Sequence, residues 1–169
     1  IRALVTGVAS WRQLPLVPLI VPGNNQHRAT PEPPRIGTQA PAFSLPDLKS
    51  ELVTLSSFRG KPTLLLFWNP NCGFCKKMLP DLKTWEADPP HGAPRLLVIS
   101  EGTIEENRAM GLRSPVVLTR ESDVRKLFGA TGTPMAILID AQGRIASTLV
   151  VGAPDVLSLL SSATIPVGP

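Results

Sequence analysis

The 169-residue chain has little cysteine, little histidine and no tyrosine, and its other aromatics are few. Two cysteines in a chain this long do not make a disulfide scaffold, which needs several bridges in a smaller chain. Nor can they build a zinc site alone, because structural zinc takes four convergent ligands. The two histidines, His27 and His91, lie far off in segments that read as linker and loop, so no metal is expected. Most of the chain also lacks an excess of charge. Of the net +4, residues 1–35 hold Arg2, Arg12, Arg28 and Arg35 against Glu32, which leaves +1 for all the rest. A near-neutral main domain argues against a nucleic-acid partner. A long apolar run is missing as well. Residues 1–22 are interrupted by Arg2 and Arg12 and broken by Pro15, Pro18 and Pro22, whereas a membrane-spanning helix needs about 20 mostly apolar residues. The same stretch does not match a signal peptide.

What is present points to one globular domain with an appendage. Hydrophobic residues make up 43% against 18% charged, a globular balance, and the length allows a sizeable core. The chain opens on Ile1 rather than Met and is read as a fragment or a processed product. Residues 1–35 form an apolar and basic segment followed by a proline-rich linker; residues 36–169 form the domain. Ala3 to Leu14 reads as a short interfacial helix, as the stub below an upstream membrane span, or as a tail without a role. Its arginines favour an anionic membrane surface; the alternative is a solvated arm.

Beyond the linker, strand and helix patterns alternate. Phe43 and Leu45, then Val53-Thr54-Leu55, suit short strands, and Ser56 to Gly60 reads as one helical turn. Thr63 to Trp68 is a continuous apolar run, as expected of a central strand buried on both faces. A helix is expected over 73–87, with Pro80 kinking or dividing it. Arg95–Ser100, Pro115–Thr119 and Met135–Asp140 read as strands, and Ile104–Met110 as a helix. Ser122 is expected to cap a helix ending at Phe128-Gly129. Ile145–Val151 is expected to pair with the strand before it as a hairpin, and Asp155–Ala163 to form a closing helix. The sum is an α/β sandwich with a mixed sheet.

Both cysteines fall in one motif, Cys72-Gly73-Phe74-Cys75, between the buried strand and the first helix. Disulfide exchange needs a thiolate, and a free thiol is mostly protonated at pH 7. Unpaired N–H groups and the dipole at a helix amino terminus favour negative charge. Cys72 is therefore the expected nucleophile, at the cap. Cys75, one turn into the helix, is the expected resolving thiol. Lys76, one turn above Cys72, is placed to add positive field. Gly73 lets a partner chain approach, and Phe74 offers an apolar edge beside the sulfur. A purely structural disulfide would close too short a loop to stabilise much.

Thr133-Pro134 follows a glycine and precedes an apolar strand. A cis bond there would expose the Thr133 backbone beside the cysteines, where an extended substrate peptide could pair with it. The alternative is an ordinary trans proline at a strand start.

Taken together these residues resemble the thioredoxin-like superfamily, in its extracytoplasmic TlpA and ResA branch with the redoxin domains of methylamine-utilisation proteins. The resemblance covers 36–163. It rests on an AhpC/TSA-like opening, Gly37-Thr38-Gln39-Ala40-Pro41-Ala42-Phe43-Ser44-Leu45-Pro46-Asp47-Leu48. It rests further on Val53 to Pro62, on Phe67-Trp68, on the cysteine motif, on Pro80 and on Gly132-Thr133-Pro134. It implies a three-layer sandwich, helices on both faces of a mixed central sheet, with Thr133-Pro134 as the cis-proline loop. The departures are specific. Asn71 stands where thioredoxin has Trp, Phe74 where it has Pro, and Leu66 where it has a buried acid. Met78 fills the place of an acid found in ResA-type proteins. The proton acceptor for Cys75 must then lie elsewhere; Glu101, at the end of the next buried strand, is the candidate, and a solvated loop carboxylate is the alternative.

The implied function is thiol–disulfide exchange with disulfide-bearing client proteins through Cys72 and Cys75, with no cofactor beyond that disulfide. The implied direction is reduction, outside the cytoplasm, with a membrane electron donor and a tether through an upstream segment. An oxidising role is the alternative in direction, and a redox-inactive peptide-binding module the alternative in kind. A peroxiredoxin-like peroxidase would need Thr and Pro where Asn69 and Leu65 stand. Copper delivery would need a wider cysteine spacing and a later histidine.

Overall fold

A computed structural model describes residues 32–120 and 123–162. The apolar head, the expected cap at Ser122 and the expected helix end at Ala163 lie outside the described residues.

Five strands form the central sheet: β3 (Thr63–Trp68), β4 (Arg95–Ser100), β5 (Val116–Leu118), β6 (Met135–Ile139) and β7 (Val150–Val151), in the order β5-β4-β3-β6-β7. β4 runs parallel to β3 and to β5, while β6 is antiparallel to β3 and β7 antiparallel to β6. β1 (Ser44–Pro46) and β2 (Leu52–Thr54) make a separate antiparallel hairpin. It leads into a single 3₁₀ turn over Leu55–Phe58.

Strand alternation sends side chains to opposite faces, and here both faces are covered. Leu65, Phe67, Leu97 and Ile99 pack with Val124 and Phe128 of the α3 region (Asp123–Leu127) and with Leu55 and Phe43. Leu64, Leu66, Trp68 and Val98 pack instead with Met78 and Leu82 of α1 (Gly73–Ala87) and Val156 and Leu160 of α4 (Ala153–Ser161). The result is the expected three-layer sandwich. Helix α2 (Ile104–Ala109) opens on a capping box: the Glu106 N–H donates to the Thr103 hydroxyl and the Thr103 N–H to the Glu106 carboxylate. Among the described residues no helix is long and apolar enough to cross a membrane.

One expectation needs correction. The 145–151 hairpin is interrupted. Ile145 bridges Ile139, but the Leu138 N–H donates to the Ser147 hydroxyl at 2.9 Å, and only Val150–Val151 resumes pairing. A side chain replaces a ladder carbonyl, so the chain leaves the sheet and returns. Helix α1 runs on through Pro80 as one helix, so the alternative of two pieces is not realised. Proline removes the N–H that would have bonded the Lys76 carbonyl; separately, the Thr84 hydroxyl donates to the Pro80 carbonyl at 3.0 Å. Pro33, on the linker side of Ile36, lies against Gly129, where an added Cβ would come within 3.1 Å of it.

Candidate active site

The carboxyl ends of β3 and β4 and the amino end of α1 meet at one pole of the sheet, the usual location of chemistry in such folds. After Trp68 the chain turns through Asn69-Pro70-Asn71. The Asn71 N–H donates to Asn69 Oδ1 at 2.8 Å, an Asx turn. Cys72 follows as the helix cap, extended at φ −74 and ψ 127. Its N–H donates to the Asn69 carbonyl and its carbonyl accepts from the Lys76 N–H, both at 3.0 Å.

Both cysteines are reduced; Cys72 is half-buried and Cys75 fully buried. Cys75 sits in one cluster with Leu66 and Met78, the residues that replace the acids of related proteins. Burial among them pushes its thiol up to about 12, with a further push from Cys72, against weaker opposing contributions from the Asn69 backbone and Thr133. For Cys72, burial also acts upward. It is outweighed by hydrogen bonds from the Thr133 side chain and from groups of Cys75 and Phe74, and the thiol ends below its ordinary value. The two thiols are thus moved in opposite directions.

The Thr133–Pro134 peptide is cis. Pro134 precedes Met135, which pairs with Phe67 near the end of β3, so the loop lies beside the cysteines. The Cys72 thiol donates to the Thr133 carbonyl at 3.3 Å. Thr133 therefore acts both ways: its carbonyl favours the neutral thiol and its side chain the thiolate. The Thr133 N–H has no hydrogen-bond partner among the described residues. Around it lies a groove of about 330 Å³ lined by Phe74, Thr133, Pro134, Met135 and Val151. Phe74 is 70% exposed and Val151 62%. At Gly73 an added Cβ would meet no atom within 4 Å, so its surface faces open space. A larger cavity of about 530 Å³, lined in part by Trp85, Arg95 and Pro115, lies by the opposite strand ends and includes neither cysteine.

Glu101 and Lys76 also have partners outside the cysteine pair. Glu101 is partly buried and paired: Oε1 pairs with Arg125 at 2.7 Å, and Oε2 accepts from Asn69 Nδ2 at 2.9 Å. Lys76 is exposed, and its charge acts on Glu106. The Glu106 carboxyl is held below its ordinary range first by the Thr103 backbone N–H and then by the Asn71 side chain, with Lys76 contributing less. Sequence reasoning missed Asn69 and Glu106 as site residues. The turn-forming run Asn69-Pro70-Asn71 was the available signal.

The pattern of the AhpC/TSA family matches residues 36–148. The chain belongs to that family. It is 28% identical over 117 residues to the thiol-disulfide oxidoreductase ResA of Bacillus thuringiensis subsp. konkukian, covering 65% of this chain and 66% of ResA. It is 31% identical over 118 residues to the methylamine utilization protein MauD of Paracoccus versutus, covering 66% and 57%. The chain therefore spans just under two thirds of the length of these curated relatives. Among solved structures it superposes on a putative thiol:disulfide interchange protein DsbE from Chlorobium tepidum. The TM-score is 0.64 at 25% identity, covering 75% of this chain and 93% of that one. The expected likeness to ResA-type redoxins and the thioredoxin-like sandwich are both borne out.

Proposed function

We propose that this domain is a thiol–disulfide oxidoreductase that reduces disulfides in client proteins, with Cys72 attacking and Cys75 resolving. The observation that carries the proposal is the split between the thiols: one half-exposed and lowered at a helix cap, the other buried and raised to about 12.

The steps balance. The Cys72 thiolate attacks a client disulfide, forming a Cys72–client bond and releasing one client thiolate, which takes a proton. Cys75 then loses its proton and attacks Cys72 Sγ. The Cys72–Cys75 disulfide forms and the second client thiolate leaves, so two electrons pass to the client. Part of the upward push on Cys75 comes from Cys72 itself. Once Cys72 is bonded to the client that part is gone, and Cys75 ionises more readily when it is needed. Glu101, with both oxygens engaged, is poorly placed to take that proton.

The free Thr133 N–H and the apolar groove suit an extended client segment lying as an added strand. Likeness to ResA and the basic, apolar head support work outside the cytoplasm, with a tether and a membrane electron donor. The peroxidase alternative has little support: Asn69 spends its side chain on Glu101 and the Asn71 N–H, and Leu65 is fully buried. In the trapping test, Cys75→Ser should accumulate a mixed disulfide between Cys72 and a disulfide-bonded protein, and Cys72→Ser should not. If Cys75→Ser traps nothing, the domain is a peptide-binding module instead.

A further inference from the structure

Asn69 uses three of its polar groups in hydrogen bonds. Nδ2 donates to Glu101 Oε2 at 2.9 Å and Oδ1 accepts from the Asn71 N–H at 2.8 Å. Its carbonyl accepts from the Cys72 N–H at 3.0 Å, and its backbone acts on the Cys75 sulfur. A single residue thus holds the backbone of one cysteine and favours the ionised form of the other.

Glu101 is itself held from two sides. Arg125 of α3 pairs with it at 2.7 Å, with the Arg and Glu side chains only 17% and 25% exposed. Asn107 of α2 donates to its carbonyl at 2.9 Å. A second tie runs alongside, from Asn71 Nδ2 to Glu106 Oε1 at 3.0 Å. Pro70 is buried between the two ties. The loop before Cys72 is therefore fastened by two amide–carboxylate bonds, one to the β4–α2 connection and one to α2. Bonds to a charged acceptor are stronger than neutral ones; partial burial spares the Asn69–Glu101 bond the screening that weakens surface pairs, while the Asn71–Glu106 bond is exposed.

We propose that Asn69, held by Glu101, is a positioning residue that fixes the loop before Cys72 and so sets the unequal reactivity of the two cysteines. The familiar tuning residues are absent at Leu66, Asn71, Phe74 and Met78, and the clamp supplies from the β4–α2 connection what they do not. Glu101 acts through Asn69 and is not the proton acceptor. The inference rests on the redox reading in one respect: unequal reactivity matters to the protein because the thiols exchange disulfides.

The test reads the thiols directly and needs no client. In the reduced protein at fixed neutral pH, the alkylation rates of Cys72 and Cys75 are followed by mass spectrometry, and the reduction potential is measured on the same samples. Asn69→Ala and Glu101→Leu should each lower the Cys72:Cys75 rate ratio by about tenfold, the equivalent of one pKa unit, and move the potential in the reducing direction. The exchange Asn69→Asp with Glu101→Gln reverses donor and acceptor and should restore the ratio to within about threefold of wild type. Asp47→Ala removes a cap on the Lys49 and Glu51 N–H groups outside the site, and should leave the ratio unchanged while lowering stability. A ratio that stays at the wild-type value in folded Asn69→Ala, or that the exchange fails to restore, overturns the proposal. Failure of client trapping with the ratio shifts intact would overturn the redox reading alone.

Discussion

The Cys72 thiol donates to the Thr133 carbonyl at 3.3 Å, across 61 positions of sequence. This contact joins the helix cap to the cis-proline loop and makes one carbonyl serve two needs. A neutral thiol uses it as an acceptor; a thiolate does not, which frees it for a peptide N–H. In the proposed function, ionisation of Cys72 and docking of a client strand would therefore favour each other.

The Thr133 side chain works against its own carbonyl by favouring the thiolate. Thr133→Val keeps the backbone and removes the hydroxyl. The Cys72 pKa should rise, and its alkylation at neutral pH should slow by about threefold to tenfold. Thiolate absorbance followed against pH reads the shift directly; an unchanged or lower pKa contradicts the assignment.

The raised Cys75 thiol makes the reduced fold sensitive to alkali. Its folded pKa of about 12 lies above the ordinary thiol value of 9.0, so the folded state holds the proton more tightly than the unfolded chain. The associated stability is fully present below pH 9.0 and is lost as pH rises towards about 12. Denaturant midpoints of reduced wild type should fall across that window more steeply than those of Cys75→Ser, which has no thiol to ionise.

Phe74 and Val151 line the groove yet are largely exposed, so they bury apolar surface only when a client is present. Phe74→Ser should raise KM for a protein disulfide by about tenfold, from about 1.5 kcal/mol of lost burial, with little change in kcat. Steady-state reduction kinetics separate the two terms. An equal fall in kcat would instead place Phe74 in the chemistry.

Gly102 lies where the clamp is tightest. Its φ is +87, and an added Cβ would lie 2.7 Å from Glu106 Oε2 and 3.0 Å from Pro70 Cγ. Gly102→Ala should therefore cost about 1–3 kcal/mol in strain and displaced packing, read as a lower denaturant midpoint, and should shift Cys72 reactivity with it.

The sheet and the first helix were legible because their signals are local. Thr63–Trp68 is a six-residue strand, apolar from Leu64 on and buried throughout, and the 73–87 helix begins and ends where the sequence placed it. The cysteines and Thr133-Pro134 were legible through their motifs. What was hidden depends on partners distant in sequence or on a side chain standing in for backbone. Ser147 breaks the last hairpin by accepting from Leu138, and nothing in Ala-Ser-Thr-Leu announces it. Asn69 and Glu101 are 32 residues apart. Sequence marked Asn69 only by what it is not, and Glu101 as a candidate base, whereas their pairing exists only in the fold.

The central claim is that Cys72 and Cys75 form a two-electron couple poised to reduce clients. Equilibrating the protein in thiol–disulfide buffers of known potential, and counting oxidised and reduced forms by mass spectrometry, tests it most directly. The account predicts one two-electron transition to an intramolecular Cys72–Cys75 disulfide, at about −250 mV or lower, near the thioredoxin end of the scale. A potential near about −120 mV, at the oxidising end, would contradict the direction of electron flow, and no disulfide between the two cysteines at any potential would contradict the function itself.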